Sequence, residues 1–273
     1  MKRTDPITIH EMYSPDDNDA IDRALNRSRD PRPPGSLFAM VGELGIGPDD
    51  VVLDIGGRDA WYSLRLAELA GCRAVSVDPV ESNNARARAA VAGHPRGARV
   101  SIRPGVMEDI PASDGEFDLV FCRDMFFQVV DADKALAECH RVLRPGGHVL
   151  FYQSYATDRL EPRETAHLYA DLAVVPERMS SDDFERRVAG SGLVVASMDP
   201  ISSEWYEALE EDGTRTTSDQ LLYVARLLRQ PEQLRAELGD TDYRVELANA
   251  LWGVYHMIGK LEPRIYVLRR PDA

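Results

Sequence analysis

The fold of this chain is decided by the stretch VVLDIGG, residues 51–57. Its first five residues are mostly apolar and β-branched, which predicts a short buried strand with one acidic residue, Asp54. Gly56 and Gly57 follow, where the backbone can turn without a side chain in the way. Residues 62–70 then have the pattern of a helix. A strand, a glycine turn and a helix in this order are typical of a site where backbone approaches a ligand closely.

The same alternation of strand and helix continues through the rest of the chain. Further apolar runs predict strands at residues 74–78, 99–103, 117–121, 148–152, 193–198 and 264–269. Strands joined by helices form right-handed crossovers and therefore lie parallel. We predict a doubly wound, Rossmann-like α/β fold with a mostly parallel, seven-stranded sheet.

The spacing of the elements also predicts four segments. Residues 1–47 form an N-terminal helical arm or lid, and residues 48–202 form the ligand-binding core. Residues 203–262 form a helical cap insert, and residues 263–273 contribute the last core strand and a tail. An insert before the last strand would cover the carboxyl edge of the sheet, where open α/β sheets bind ligands.

The composition indicates which classes of partner are disfavoured and in which compartment the protein is expected. The 273 residues carry 32 basic and 46 acidic side chains, for a formal net charge of −14. This balance argues against nucleic acid and anionic membrane partners, because those are bound through clustered Lys and Arg. Three cysteines without a CxxC pair indicate free thiols in a reducing compartment. With neither an apolar signal core nor a run of eighteen apolar residues, we expect a cytoplasmic protein.

Asp78 is the first candidate for a ligand contact. It ends the second predicted strand, 22 residues after Gly56. An acidic side chain at this position can accept hydrogen bonds from the ribose hydroxyls of a nucleoside.

Five elements carry a resemblance to a known family. They are VVLDIGG (51–57), AVSVDP (74–79), SIRPGVMEDIP (101–111), FDLVFCRDMFFQV (117–129) and KALAECHRVLRPGGHVLFYQ (134–153). In this order and spacing, residues 50–155 resemble the class I methyltransferases that depend on S-adenosyl-L-methionine (SAM). The predicted cap is similar to that of family members acting on natural products, sugars or sterols. The resemblance implies SAM as cofactor and methyl transfer to a small-molecule acceptor.

The resemblance also implies a role for individual residues. The turn after Asp54 would hold the methionine part of SAM, Asp78 the ribose, and the segment of Met107 and Glu108 would flank the adenine. Cys122 and Arg123 would lie near the methionine carboxylate and the sulfonium. The residues expected to bind the cofactor are Tyr13, Asp54, Gly56, Gly57, Arg58, Asp78, Met107, Glu108, Cys122 and Arg123.

The sequence departs from the family pattern at three positions. Arg58 and Ala60 replace the second and third glycines of the first motif. Val106 replaces the acid that usually contacts the adenine amino group. Arg58 adds bulk and charge where the cofactor lies, or it pairs with the SAM carboxylate through a bidentate contact.

Three residues are candidates for catalysis. Asp124 follows the fourth predicted strand and would bind substrate or act as a general base; the alternative is an N-cap for a helix beginning near Met125. His167 and His256 lie on helices that could cover the pocket, where a neutral imidazole can take a proton. No set of residues with metal-ligand spacing stands out, so no metal is expected.

Two other functions remain open on this sequence. The chain could transfer an aminocarboxypropyl group or cyclise SAM, with release of methylthioadenosine, or it could be a non-catalytic partner protein that has lost the cofactor through Arg58. The sequence leaves the oligomeric state undetermined, with a homodimer as one option.

Overall fold

The computed structural model describes residues 6–13 and 18–272, which the pattern of contacts divides into two compact units. The first unit, Met1–Pro31, contains helices α1 (Ile9–Met12) and α2 (Asn18–Leu25). Thr8 caps α1, since its hydroxyl accepts from Glu11 N and the Glu11 carboxylate accepts from Thr8 N. The second unit, Arg32–Ala273, contains the sheet and all further elements.

Seven strands form one sheet in the second unit. They are β1 (Val51–Ile55), β2 (Arg73–Asp78), β3 (Val100–Pro104), β4 (Phe117–Arg123), β5 (Leu143–Ala156), β6 (Val194–Pro200) and β7 (Leu261–Arg269). Their order is β3-β2-β1-β4-β5-β7-β6. The first five strands are parallel, and β7 runs antiparallel to both β5 and β6. The predicted Rossmann-like, mostly parallel sheet is therefore confirmed.

Helices cover both faces of the sheet and fill the chain between β6 and β7. The helices of this unit are α3 (Ser36–Glu43), α4 (Trp61–Leu69), α5 (Glu81–Gly93), α6 (Ala132–Val142), α7 (Pro162–Asp171), α8 (Ser181–Gly190), α9 (Glu204–Glu211), α10 (Thr216–Arg229), α11 (Pro231–Leu238) and α12 (Asp240–Met257). The four helices α9 to α12 lie within residues 203–262, although the sequence pattern did not predict α9. The role of this segment as a cap remains a prediction. No helix within the described ranges is long and apolar enough to cross a membrane.

The centre of the sheet is buried on both faces, which explains the continuous apolar runs of its strands. Every residue of β1 is buried, and Leu53 pairs with Val75 on one side and Val120 on the other. One apolar cluster packs the sheet against α6 and α8, and a second packs it against α3, α4 and α9. This packing holds the carboxyl ends of β1, β2, β4 and β5 at one edge.

A buried ion pair fixes the segment that follows β4. The Arg178 side chain is 6% exposed and contacts the Asp183 carboxylate on α8 at 2.7 Å. The same guanidinium donates to the carbonyl oxygens of Val129 and Val130, at 3.1 and 3.2 Å. The charge is thus paired and hydrogen-bonded, as a buried charge requires.

Candidate active site

In the turn after β1, two positions adopt the left-handed conformation that favours glycine, although this chain has Arg58 and Ala60 there. Gly56 has a φ of +77°, and Arg58 and Ala60 have φ values of +49° and +62°. A left-handed conformation costs a residue with a Cβ about 1–2 kcal/mol. Gly57 could not carry a side chain here without a shift, because a Cβ would lie 2.1 Å from Ser76 Oγ on β2. The two departures from the family pattern therefore place residues with a Cβ in a left-handed conformation, which strains the turn.

Asp78 is held against this turn at the end of β2. It is 4% exposed, and its Oδ2 accepts a hydrogen bond from the backbone N–H of Arg58 at 3.1 Å. Its Oδ1 accepts from Val80 N at 2.9 Å and from Asn83 Nδ2 at 3.0 Å. A carboxylate offers about four acceptor positions, so Oδ2 keeps one for a ligand hydroxyl.

Asp54 lies beneath the turn and supports it. It is 3% exposed, and its Oδ2 accepts a hydrogen bond from the Ser63 hydroxyl at 2.6 Å. Burial raises the pKa of Asp54 to about 6, against the lowering effect of the Ser63 hydrogen bonds. The contacts of Asp54 are thus with α4 and the turn, and its predicted part in cofactor binding remains a prediction.

Three other predicted cofactor residues make internal contacts with their side chains. Met107 and Cys122 are each 1% exposed and belong to the main apolar cluster. Burial raises the pKa of the Cys122 thiol well above its ordinary value. The Glu108 carboxylate accepts from the backbone N–H groups of Val130 and Asp131, at 3.1 and 3.4 Å. These side chains organise the core and the segment after β4.

The structure brings two of the predicted catalytic residues together through a third that the sequence analysis did not name. Ser154, near the end of β5, places its Oγ 2.8 Å from Asp124 Oδ1 and 2.8 Å from His256 Nε2. The Trp252 indole donates to Asp124 Oδ2 at 3.3 Å. His256 Nδ1 lies 2.7 Å from the Trp252 carbonyl oxygen, one turn earlier on α12. Asp124, Ser154 and His256 therefore form one hydrogen-bonded chain, which we call the proton chain.

In the proton chain, a single hydroxyl hydrogen lies between two acceptor atoms, so one acceptor is left without a hydrogen. A carbonyl only accepts, so Nδ1 of His256 carries the hydrogen toward Trp252 and Nε2 is left as an acceptor. The Ser154 hydroxyl has a single hydrogen, with His256 Nε2 on one side and Asp124 Oδ1 on the other. Burial lowers the pKa of His256, although the Asp124 charge opposes this, so the imidazole is kept neutral. The chain can accordingly accept one proton.

Asp124 does not cap the helix that follows it. The next element is a short 3₁₀ helix, Phe126–Gln128, whose N-cap is Met125 and which has no side-chain cap. The backbone N–H of Asp124 donates to the Tyr152 carbonyl oxygen at 2.7 Å, and its φ is +48°. The capping alternative for Asp124 is wrong, because the residue leaves β4 in a left-handed conformation that turns the carboxylate toward Ser154.

Two predicted site residues, His167 and Tyr13, are not members of the proton chain. His167 is exposed on α7 and lines a separate surface pocket of about 350 Å³ with Leu168, Leu251 and Tyr255. Tyr13 follows α1 in the first unit, where its side chain is 76% exposed. Their predicted roles remain predictions. Within the described ranges, no group of three or more His, Cys, Asp or Glu side chains is placed to hold a metal ion.

Sequence reasoning placed Tyr152 at the carboxyl edge of the sheet but missed three other aromatic side chains of the site, Tyr62, Tyr206 and Trp252. The Arg123 guanidinium lies 4.9 Å from the Tyr62 ring centroid and 5.3 Å from that of Tyr152. Tyr206, on the unpredicted helix α9, stacks on the His256 ring at 4.8 Å. For Ser154 a signal was available, because it follows the predicted fifth strand by two residues. The structure extends that strand to Ala156.

Comparison with known proteins agrees with this geometry. Residues 53–151 match the family model described as a methyltransferase domain. Over 148 residues the chain is 30% identical to a glycine/sarcosine/dimethylglycine N-methyltransferase of Actinopolyspora halophila, covering 54% of this chain and 26% of that protein. The chain spans less than half the length of the first curated relatives it matches.

Two solved structures share the fold over most of the chain. One is a putative sarcosine dimethylglycine methyltransferase from Galdieria sulphuraria, with a TM-score of 0.66, 16% identity and coverage of 87% of this chain and 84% of that one. The other is the [4+2]-cyclase SpnF, with a TM-score of 0.67, 16% identity and coverage of 87% and 81%. The family match over residues 53–151, the fold and the motifs at the sheet edge together support a class I SAM-dependent methyltransferase.

The strain in the turn after β1 yields a prediction. Replacing Arg58 by Gly removes about 1–2 kcal/mol of left-handed strain, of which the greater freedom of glycine in the unfolded chain offsets about half. We expect R58G to raise the free energy of unfolding by about 0.5–1 kcal/mol in urea titrations. R58A is the matched control, since it removes the same charge and keeps the strain, and should leave stability nearly unchanged. Equal stability of R58G and R58A would contradict the argument.

The buried imidazole yields a second prediction. Because the folded pKa of His256 lies below the unfolded value of about 6.5, the unfolded chain takes up a proton first as pH falls. The neutral imidazole thus costs stability below about pH 6.5, by up to about 1.4 kcal/mol per pH unit. We expect H256Q to flatten the loss of unfolding free energy between pH 7 and pH 5. H167Q, the same change on an exposed helix face, should keep the wild-type slope, and an unaltered slope in H256Q would refute the assignment.

Proposed function

We propose that this chain transfers the methyl group of SAM to a small-molecule acceptor. The observation that carries the proposal is the Asp78 carboxylate, fixed beside the turn after β1 with one acceptor position of Oδ2 still available. This is the arrangement that a ribose hydroxyl requires. The match to the methyltransferase family model supports SAM as the nucleoside that binds there.

The residues at the sheet edge fit this cofactor. Asp78 would hold the ribose, and the turn from Gly56 to Ala60 would hold the methionine part, where Gly57 brings the backbone close to β2. When bound, SAM supplies a methyl group on a sulfonium that is already activated for attack. The task left to the chain is to position the acceptor, to exclude water and to receive a proton.

The proton chain is suited to receive the acceptor proton. The Asp124 carboxylate would take a proton from an acceptor hydroxyl or ammonium, and the protonated carboxyl would then donate to Ser154 Oγ. The Ser154 hydroxyl would in turn donate to His256 Nε2, so every acceptor in the chain would have a hydrogen. Tyr206 and Trp252 pack against the His256 ring and keep this end of the site dry.

A small acceptor is supported by charge and by the relatives. The net charge of −14 disfavours a polyanionic acceptor such as nucleic acid. The relative from Actinopolyspora halophila is named for methylation of glycine, sarcosine and dimethylglycine, which are small amines. Glycine and sarcosine are therefore the first acceptors to test, followed by simple phenols.

Cofactor binding gives a direct test of the Asp78 assignment. Loss of a hydrogen bond to a charged group costs about 1.5–3 kcal/mol, so we expect D78N to weaken S-adenosylhomocysteine binding by about 10- to 100-fold in calorimetric titrations. D49N is the control, because Asp49 is exposed beside the amino end of β1 and should keep the wild-type affinity. Unchanged affinity in a folded D78N protein would remove the basis for the proposal.

The reaction products separate methyl transfer from the other functions. We expect S-adenosylhomocysteine when the protein is incubated with SAM and the acceptor panel, measured by mass spectrometry. Methylthioadenosine would indicate aminocarboxypropyl transfer or cyclisation instead. A folded protein that binds neither SAM nor S-adenosylhomocysteine would be a non-catalytic member of the fold.

A further inference from the structure

Arg123 is a cation at the sheet edge that forms no ion pair with any residue that the structure describes. It is the last residue of β4 and is partly buried, with its guanidinium over the rings of Tyr62 and Tyr152. Among the residues that the structure describes, none accepts a hydrogen bond from this guanidinium. Two aromatic faces beside a guanidinium leave the N–H groups in its plane open to a ligand.

The contrast with Arg178 shows what Arg123 lacks. Arg178 has the Asp183 carboxylate and two carbonyl oxygens as partners, as a guanidinium removed from water needs. Asp124 follows Arg123 directly in the chain, but its carboxylate oxygens accept no hydrogen bond from the Arg123 guanidinium. Its Oδ1 accepts from Ser154 and its Oδ2 accepts from Trp252. Within the part of the chain that the structure describes, the N–H groups of Arg123 have no hydrogen-bond acceptor, so they are open to water or to a ligand.

The position of Arg123 in the sheet places it away from the ribose end of the cofactor. Asp78 ends β2, and Arg123 ends β4, two strands away in the order β2-β1-β4. With strands about 4.8 Å apart, the two backbone positions are separated by roughly 10 Å across the edge. Arg123 contacts Tyr152 on β5, farther still from the ribose position. Arg58, exposed in the turn itself, is better placed for the carboxylate of the cofactor.

We propose that Arg123 binds the carboxylate of a small anionic acceptor by a bidentate contact, between the rings of Tyr62 and Tyr152. This rests on the proposed function and specifies its substrate class. Asp124 is the next residue, with its Cα about 3.8 Å away along the chain. A substrate held by Arg123 would thus present a nearby hydroxyl or amine to Asp124, which describes a small hydroxy acid or amino acid.

Binding of simple carboxylates tests the proposal without knowledge of the acceptor. The probes are propionate and benzoate, each beside its neutral amide, titrated into the complex with S-adenosylhomocysteine and monitored by NMR. We expect saturable binding of the carboxylates, at least tenfold tighter than binding of the amides. R123Q should weaken carboxylate binding at least tenfold and leave amide binding unchanged, and R123K should retain part of it. The affinity for S-adenosylhomocysteine should change less than twofold in R123Q.

Two outcomes would overturn the proposal. One is equal or absent binding of carboxylate and amide by the wild-type protein. The other is an R123Q protein that binds S-adenosylhomocysteine at least tenfold more weakly and methylthioadenosine normally, because that pattern assigns Arg123 to the cofactor carboxylate. The carboxylate and amide titrations are also carried out without S-adenosylhomocysteine, so that they report on Arg123 even if the cofactor does not bind. Failure of S-adenosylhomocysteine to bind the wild-type protein would defeat the proposed function. That result would be distinct from a failure of carboxylates to bind at Arg123.

Discussion

The contact between the turn after β1 and the end of β2 is the constraint on which the site depends. The backbone N–H groups of Gly56 and Gly57 both donate to the Val77 carbonyl oxygen, at 2.8 and 3.2 Å. The N–H of Arg58 continues this series to the Asp78 carboxylate. Three successive N–H groups are thus satisfied by one strand end, and this fixes both the path of the turn and the orientation of the carboxylate that it offers to a ligand.

This constraint explains how the turn tolerates the loss of two glycines. Three hydrogen bonds to β2, at about 1 kcal/mol each, are comparable with the strain of about 1–2 kcal/mol at each of Arg58 and Ala60. The Arg58 side chain is exposed, so its bulk does not fill the turn. Ala60 is fully buried, and its methyl group packs where glycine would leave space. The altered motif is therefore expected to affect the stability of the turn, whose hydrogen bonds to β2 remain in place.

The sequence predicted the sheet well because its strands are defined by local apolar runs and by the turns between them. It located Asp78 for the same reason, since the end of a strand can be read locally. It did not predict the proton chain, in which Asp124 and His256 meet only through Ser154. Ser154 belongs to β5 because β5 continues along the antiparallel strand β7, where Ser154 pairs with Pro263. Ser154 lies close to the predicted end of the fifth strand, but its contacts with Asp124 and His256 join residues distant in the chain and leave no local pattern.

Opposite charges on consecutive residues divide the site into two halves. Arg123 is still within β4 and extends toward Tyr62 and Tyr152, on the face that carries α4 and α9. Asp124 leaves the strand with a positive φ, and its carboxylate turns toward Ser154 and Trp252. The two side chains therefore form no ion pair, although they are adjacent in sequence. Against the lowering effect of burial, the charge of Asp124 is one of the interactions that raise the pKa of Arg123. If Arg123 holds the anionic group of the acceptor and Asp124 takes its proton, as proposed above, a short acceptor is expected, because the two side chains start from Cα atoms about 3.8 Å apart.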